Sequence, residues 1–551
     1  MLAQRLNRRG RSCQDLNTGN ASIGHSHVCG KVAASSRNRI RDVVKELPRT
    51  CIFLAFALSL IATATAAGQL RVGRVEPPPG LGVPFGSIGQ PSSAFWSAMF
   101  DGLTRLGVGG RLEPALAVSW SNDGARRWVF TLRDDVRFHN GRPLTASAVV
   151  AAIDILRSEA GRALYVATEV QGFDSVRALD DRTLEIITRE PDPIVPNRLG
   201  LVMIVEPATW ADIGPAGFAR APVGTGPYQF VAQQGASTRF TAFAESWRPP
   251  GDVTELELVA IPDITARMPA LLTGRIDVAE GLNGVDIAAA AAEGQVREVR
   301  DAPNAVLTMM FRTVGKSASP LIDARVRRAI NMAIDKSALA REILDGRMDV
   351  ASQGIAPGLY GFDPNIAPYS FDPAAAKALL VEAGYPEGFT FRLEIVGAMP
   401  WESALYQTIA QDLAAIGIKT ELTTMPFPAF LGKLASGQWG DTDGFPLIWD
   451  TSVYGDASRI LRVASCLKPN PFFCDPSVTP LIERAEREMN TDRRRETLQQ
   501  AMAATKAAAV GVWLLDFRRF HAVGPRVASL PMRPTGIVYE EVTLDEPAGS
   551  P

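Results

Sequence analysis

The sequence predicts an α/β fold, and three observations carry that expectation. Residues 112–155 alternate strand-like and helix-like patterns with turn residues between them. Residues 391–423 read as strand, helix, strand. Hydrophobic residues make up 46% and charged residues 21% of the 551, which is enough apolar matter for a large core in a soluble chain.

In the first block, 128–133 alternates apolar and polar residues as a half-buried strand does. Asp134-Asp135 can turn the chain, and 136–138 continues extended. Asn140-Gly141 is a second turn signal, because both residues tolerate positive φ. Pro143 stiffens the approach to Thr145, a suitable N-cap, and 148–156 supplies the apolar face of a helix. Farther on, 221–230 contains Gly224 and Gly226, but the spacing is not that of a phosphate loop and no helix follows, so it reads as a rigid turn into a strand. Residues 323–346 read as two helices, the second capped by Asp335 and stopped by Gly346. Asp372-Pro373 opens another helix, with Gly384 at its end. In the βαβ unit, 391–396 and 418–423 are the strands and 402–416 the helix, which implies a parallel pair with a right-handed crossover. A polar helical stretch at 478–506 and a strand at 512–517 complete the pattern.

Charge is unevenly placed. Residues 1–67 hold 10 Lys/Arg and 3 Asp/Glu, so the remainder has 57 − 10 = 47 basic and 59 − 3 = 56 acidic residues, a net of −9. A basic leader, an apolar run at 51–62 and the small residues of ATATAAG form a secretory signal pattern with cleavage near Ala66 or Ala67. The run is short for a membrane span. An exported, periplasmic protein with an acidic body gives no reason to expect nucleic acid as a partner. Beyond the leader only Cys466 and Cys474 remain, flanking LKPNPFF, and an oxidising compartment favours a disulfide between them. With only His139 and His521 left, no metal site and no cofactor is expected.

The order "P-x-LA-x-SW", "DG", "W-x-F-x-LR-x-x-V-x-FH-x-G-x-P" in the first block resembles solute-binding family 5, the peptide- and nickel-type periplasmic receptors of ABC importers. So do VGTGPY at 223–228, "R-x-R-x-AI-x-x-AID" at 325–335 and FDPAAAKALLVEAGYPEG at 371–388. The resemblance implies a type II-like periplasmic binding protein of two α/β lobes with an extra domain inserted in the first. On that pattern, 68–103, 219–312 and 508–551 form lobe I, 104–218 the inserted domain and 313–507 lobe II, after a leader at 1–67. It implies a binding protein and no enzyme. A small peptide or peptide-like ligand is captured between closing lobes and passed to a membrane permease and its ATPase.

The resemblance also points to site residues. The Pro/Gly-rich stretch 77–91, with Gly89 and Gln90, lines the family's cleft. Peptide-binding members carry "GW-x-x-D", whose Asp pairs with the peptide ammonium. Here Trp449 fits the aromatic, but Ser452 stands where that Asp is expected. Asp450 or Asp456 is left as a substitute, with Tyr454 beside them, and core packing is the other reading of Trp449. Arg312 replaces the family's Asn after a strand at 306–311. In the cleft it would clamp an anionic ligand, and otherwise it is a surface ion pair. The competing functions are a secreted hydrolase, for which no G-x-S-x-G, HExxH or Walker motif is present, and a sensory or chaperone binding module on the same fold.

Overall fold

The computed structural model describes residues 68–545 apart from Glu76, Pro78, Pro79, Pro91, Asn283, Ser317, Ala398 and Ser452. The leader, its cleavage site and the Ser452 position therefore lie outside the described residues. No described helix is long and apolar enough to cross a membrane.

Two large sheets organise the chain. The first has seven strands in the order Arg297–Arg300, Phe520–Val523, Val278–Leu282, Gln69–Arg74, Glu255–Ala260, Ser237–Ala242, Tyr228–Gln234. Its centre is parallel, with Gln69–Arg74 between Glu255–Ala260 and Val278–Leu282, and Leu70 and Val72 fully buried there. The second has six strands in the order Asp349–Val350, Gly511–Phe517, Ala305–Phe311, Gly444–Asp450, Phe389–Ile395, Ile418–Thr424. The parallel pair Phe389–Ile395 and Ile418–Thr424 is joined by the helix Glu402–Ala415, the βαβ unit expected from the sequence. Strands Ala305–Phe311 and Gly511–Phe517 are buried along their whole length, as strands covered on both faces are.

Between Gln69–Arg74 and Tyr228–Gln234 the chain builds a four-stranded antiparallel sheet, Ala117–Asp123, Arg127–Leu132, Thr183–Thr188, Phe173–Ala178 in that spatial order. The helix Ala146–Arg157 accompanies it, with Thr145 Oγ1 accepting from the Ala148 amide at 3.2 Å. Gly141 takes a φ of 82° in the Asn140-Gly141 turn.

Sheet membership differs from the expected boundaries at two points. Residues 305–311 were expected with lobe I, and lobe I was expected to resume at 508. Yet Ala305–Phe311 and Gly511–Phe517 pair with each other in the six-stranded sheet. The chain changes sheets at 301–304 and at 518–519, because the continuous apolar runs beside those points need a neighbour on each side. The polar stretch 478–506 is also two helices, Thr479–Arg487 and Thr491–Ala507, because the Asn490 side chain accepts from the Arg493 amide and starts a new helix.

The VGTGPY turn shows why its glycines are there. A Cβ on Gly224 would sit 2.1 Å from Met99 O, and one on Gly226 2.5 Å from Met99 C, so the turn lies directly against the backbone at 98–100. His139 staples it from the other side. Its Nε2 donates to Gly226 O at 3.0 Å, and its Nδ1 accepts from the Gly224 amide at 3.3 Å, an arrangement only the neutral ring satisfies. Burial pushes the His139 pKa down to about 4 from the ordinary 6.5. The unfolded chain therefore takes up this proton first. The staple's stability is fully present above about pH 6.5 and is lost as the pH falls toward 4. Urea midpoints measured from pH 7.5 to 4.5 should fall more steeply for the natural protein than for His139→Gln, and parallel curves would remove His139 from the account.

Candidate functional site

The two large sheets meet where the Gly-rich segment 80–90 faces the end of the strand Gly444–Asp450. Gly89 has a φ of 78°, and a Cβ there would lie 2.6 Å from Asp450 Oδ2. That approach lets the Gln90 amide donate to Asp450 Oδ2 at 3.2 Å. The Gln90 side chain donates to Pro534 O at 2.8 Å and accepts from Arg519 Nη1 at 3.0 Å. Gly89, Gln90 and Asp450 are thus brought together.

Tyr454 joins the same contact by a different route. Its hydroxyl donates to Glu169 at 2.8 Å and accepts from Arg198 Nη1 at 3.3 Å, and Asn197 Nδ2 donates to its carbonyl at 2.7 Å. Burial, reinforced by Glu169, raises the Tyr454 pKa, so the proton stays on the phenol. Val453, Tyr454 and Ile194 are buried together, packed against Ile88 and Leu201, as a small apolar seal across the junction.

Three expected site residues have other partners. Asp456 is nearly fully buried and holds Arg494 through both oxygens, at 2.6 and 3.0 Å. It also accepts from the Ser458 amide at 2.8 Å, so it anchors the helix Thr491–Ala507. Arg312 lies at the opposite end of its strand from the junction, since Phe311 pairs with Gly444 whereas Ala305 pairs with Asp450. Its guanidinium donates to the carbonyls of Gly440 and Thr442, and it braces a loop. Trp449 packs in the core with Val306, Ile460 and Trp513, under the Arg459 guanidinium at 5.5 Å, and its Nε1 has no partner among the described residues. Cys466 and Cys474 are disulfide-bonded, with their Cα atoms 4.4 Å apart.

Beside the seal opens a small cavity with ≈ 80 Å³ of accessible space, the ≈ 740 Å³ around it including open solvent. Ser93 and Arg105 line it from the N-terminal side, Leu201 from the four-stranded unit, Arg533 and Thr535 from the C-terminal segment, and Val453 from the far side of the junction. None of these was visible as a site residue in the sequence. They come from five separated segments, and only the first follows a stretch, the Pro/Gly-rich 77–91, that the sequence singled out. The arrangement presents both polar and apolar walls to a small molecule. Among the described residues no group of three His, Cys, Asp or Glu is placed to hold a metal ion.

Two α/β units meeting over a cavity and joined by neighbouring crossovers define a two-lobed solute-binding protein. The chain belongs to the bacterial extracellular solute-binding proteins of family 5, whose middle-region model matches residues 111–466. It is similar to heme-binding protein A of Haemophilus influenzae, with 26% identity over 466 residues, covering 77% of this chain and 82% of that protein. It is similar to the nickel-binding periplasmic protein of Escherichia coli K12, with 26% identity over 428 residues, covering 72% and 79%. Its fold matches that of the ABC transporter-associated periplasmic binding protein DppA from Helicobacter pylori in complex with peptide STSA. The TM-score is 0.72 at 21% identity, covering 87% of this chain and 98% of that one.

The partners just described separate scaffold from site. Asp456→Ala should cost about 3–5 kcal/mol of stability, because it leaves Arg494 buried without its counter-charge. Tyr454→Phe should cost about 1 kcal/mol, the usual net worth of one hydrogen bond. Chemical denaturation checks both; an Asp456→Ala protein of undiminished stability would return Asp456 to the list of ligand contacts.

Proposed function

We propose that this chain is the exported receptor of an ABC importer, taking a small solute, peptide or peptide-like, into the cavity between its lobes and presenting the closed form to a permease and its ATPase. The junction where Gly89 and Gln90 of one lobe meet Asp450 of the other is the observation that carries this reading; Val453 is the second lobe's single contribution to the cavity lining, so a solute there touches both lobes only when they are closed. Lobe I is then the seven-stranded sheet with the unit at 104–218 as an inserted domain, and lobe II the six-stranded sheet with its helices. The signal pattern at the N-terminus supports a periplasmic location, with cleavage near Ala66 or Ala67. The ligand contacts we assign are Gly89, Gln90 and Asp450 at the rim and Ser93, Arg105 and Arg533 within.

Binding without chemistry fits the histidines. His139 is held by backbone at the VGTGPY turn, and His521 is buried with its Nε2 on Asp301 Oδ1 at 2.9 Å and no hydroxyl on Nδ1. Among the described residues neither histidine is placed to activate a serine.

Native mass spectrometry of the purified mature protein should show a co-purifying small molecule at one per chain. Adding that molecule at about a hundredfold above its Kd should stabilise the fold by about 2.7 kcal/mol and reduce the radius of gyration in X-ray scattering. Stabilisation with an unchanged radius of gyration would contradict lobe closure.

A further inference from the structure

The cavity contains more positive charge than the fold itself uses. Three arginines line it: Arg105, Arg248 and Arg533. Arg248 is neutralised by two carboxylates, although its Nε, like that of Arg105, is buried without an acceptor. It meets Asp101 Oδ1 at 2.8 Å, pairs with Glu540 and donates to Ser97 O at 3.1 Å. The second Asp101 oxygen is occupied in turn, accepting from Thr225 Oγ1 at 2.9 Å and Trp247 Nε1 at 3.0 Å.

Arg105 and Arg533 differ from it. Arg105 makes no side-chain hydrogen bond among the described residues, and its Nε is buried without an acceptor. Its contacts are the Trp247 ring at 5.7 Å and Glu113 at 3.6 Å, a carboxylate 37% exposed to water. Arg533 donates once, to Glu541 at 3.2 Å, and that carboxylate is 50% exposed. Burial, followed by the charges of Arg533 and Arg248, lowers the pKa of the Arg105 guanidinium. Two like charges line one half-open cavity, with 31% of the Arg105 and 16% of the Arg533 side chain exposed, and their counter-charges stand at more solvent-screened positions. A guanidinium offers five donors in a planar fork that matches two oxygens of a carboxylate or phosphate. Arg105 uses none of these on the protein, and Arg533 uses one.

We propose that Arg105 and Arg533 form an anion subsite in this cavity, so that the captured solute carries a carboxylate or phosphate group placed between them. This rests on the reading of the cavity as the solute site. It also relocates the anion contact expected of Arg312, whose guanidinium is spent on the loop carbonyls at 440 and 442. The shared chemistry is a delocalised anionic oxygen group, and its two sources are separable by experiment.

Thermal shift of the mature protein against four pools makes the test: dipeptides with free C-termini, the same dipeptides C-terminally amidated, di- and tricarboxylates, and sugar phosphates with inorganic phosphate. The strongest stabilising compound is then titrated calorimetrically into the natural protein, Arg105→Gln, Arg533→Gln and the double variant. We expect the compound to come from an anionic pool, the carboxylate and phosphate pools telling the two sources apart. Each single variant should weaken its Kd at least tenfold, roughly the worth of one charge-assisted hydrogen bond. Arg105→Gln should keep or raise the melting temperature, since it removes a repulsion. Amidated dipeptides binding as tightly as the free acids, or a double variant within twofold of the natural protein, would overturn the anion subsite and leave the receptor reading intact. Failure of all four pools, amides included, would count against both.

Discussion

The structure depends on two crossovers that run side by side between the large sheets. The Asp301 amide donates to Arg519 O at 3.1 Å, and the Asn304 amide to Phe517 O at 3.3 Å. The passage out of the first sheet and the passage back into it are thereby hydrogen-bonded to each other, and His521 pairs with Asp301 in their shade. Asn304 extends this clamp into the site. Its carbonyl accepts from both the amide and the hydroxyl of Thr451, each at 2.8 Å, and its side chain donates to Pro534 O at 3.4 Å. Pro534 O also accepts from Gln90. One joint thus positions the segment after Asp450, the hairpin carrying Arg533 and Thr535, and the rim residue Gln90. A rotation about it moves Val453 relative to Ser93, which is the motion a solute trap requires.

The joint also explains which parts of the molecule could be read from the sequence. Elements whose shape is decided locally were legible: the Thr145 cap, the Asn140-Gly141 turn, the βαβ unit at 389–424 and the glycines of VGTGPY. The first three depend on residues within about one element of themselves, where periodicity and turn chemistry carry the information, whereas the VGTGPY glycines announced a turn but not its distant neighbours Met99 and His139. The lobe boundary was not legible at 305–311, because an all-apolar strand reads the same in either sheet. Only its partners, Gly444–Asp450 and Gly511–Phe517, assign it.

Site residues divide along the same line. Gly89, Gln90, Asp450 and Tyr454 were picked out through the family pattern, and the structure gathers them at one junction. Asp456 stood in the same run of sequence, but its charge is answered by Arg494, thirty-eight residues later on a helix whose polar face gave no sign of an inward arginine. Arg312 was singled out for replacing an uncharged residue, and its function is fixed by carbonyls some 130 residues away. Arg105 and Arg533 carry no local signal at all. Each sits in a short strand, and only the fold brings the two ends of the chain to one cavity.

A trap of this kind works only if closure without solute is nearly balanced. Moving a two-state equilibrium from mostly open to mostly closed takes about 5.5 kcal/mol of differential binding, so the empty closed form cannot already hold that much in its own contacts. The contacts across the junction are of suitable size: an apolar seal of five side chains, the Tyr454 hydroxyl between Glu169 and Arg198, and the Gln90 amide on Asp450. Closing over Arg105 and Arg533 works against them. As Val453 closes on the lining, the repulsion between the two guanidinium groups would strengthen with any fall in the local dielectric. An anionic solute reverses the sign of that last contribution. The same pair of arginines that resists an empty closure then favours a filled one, and the selectivity of the trap and its closing become a single electrostatic event.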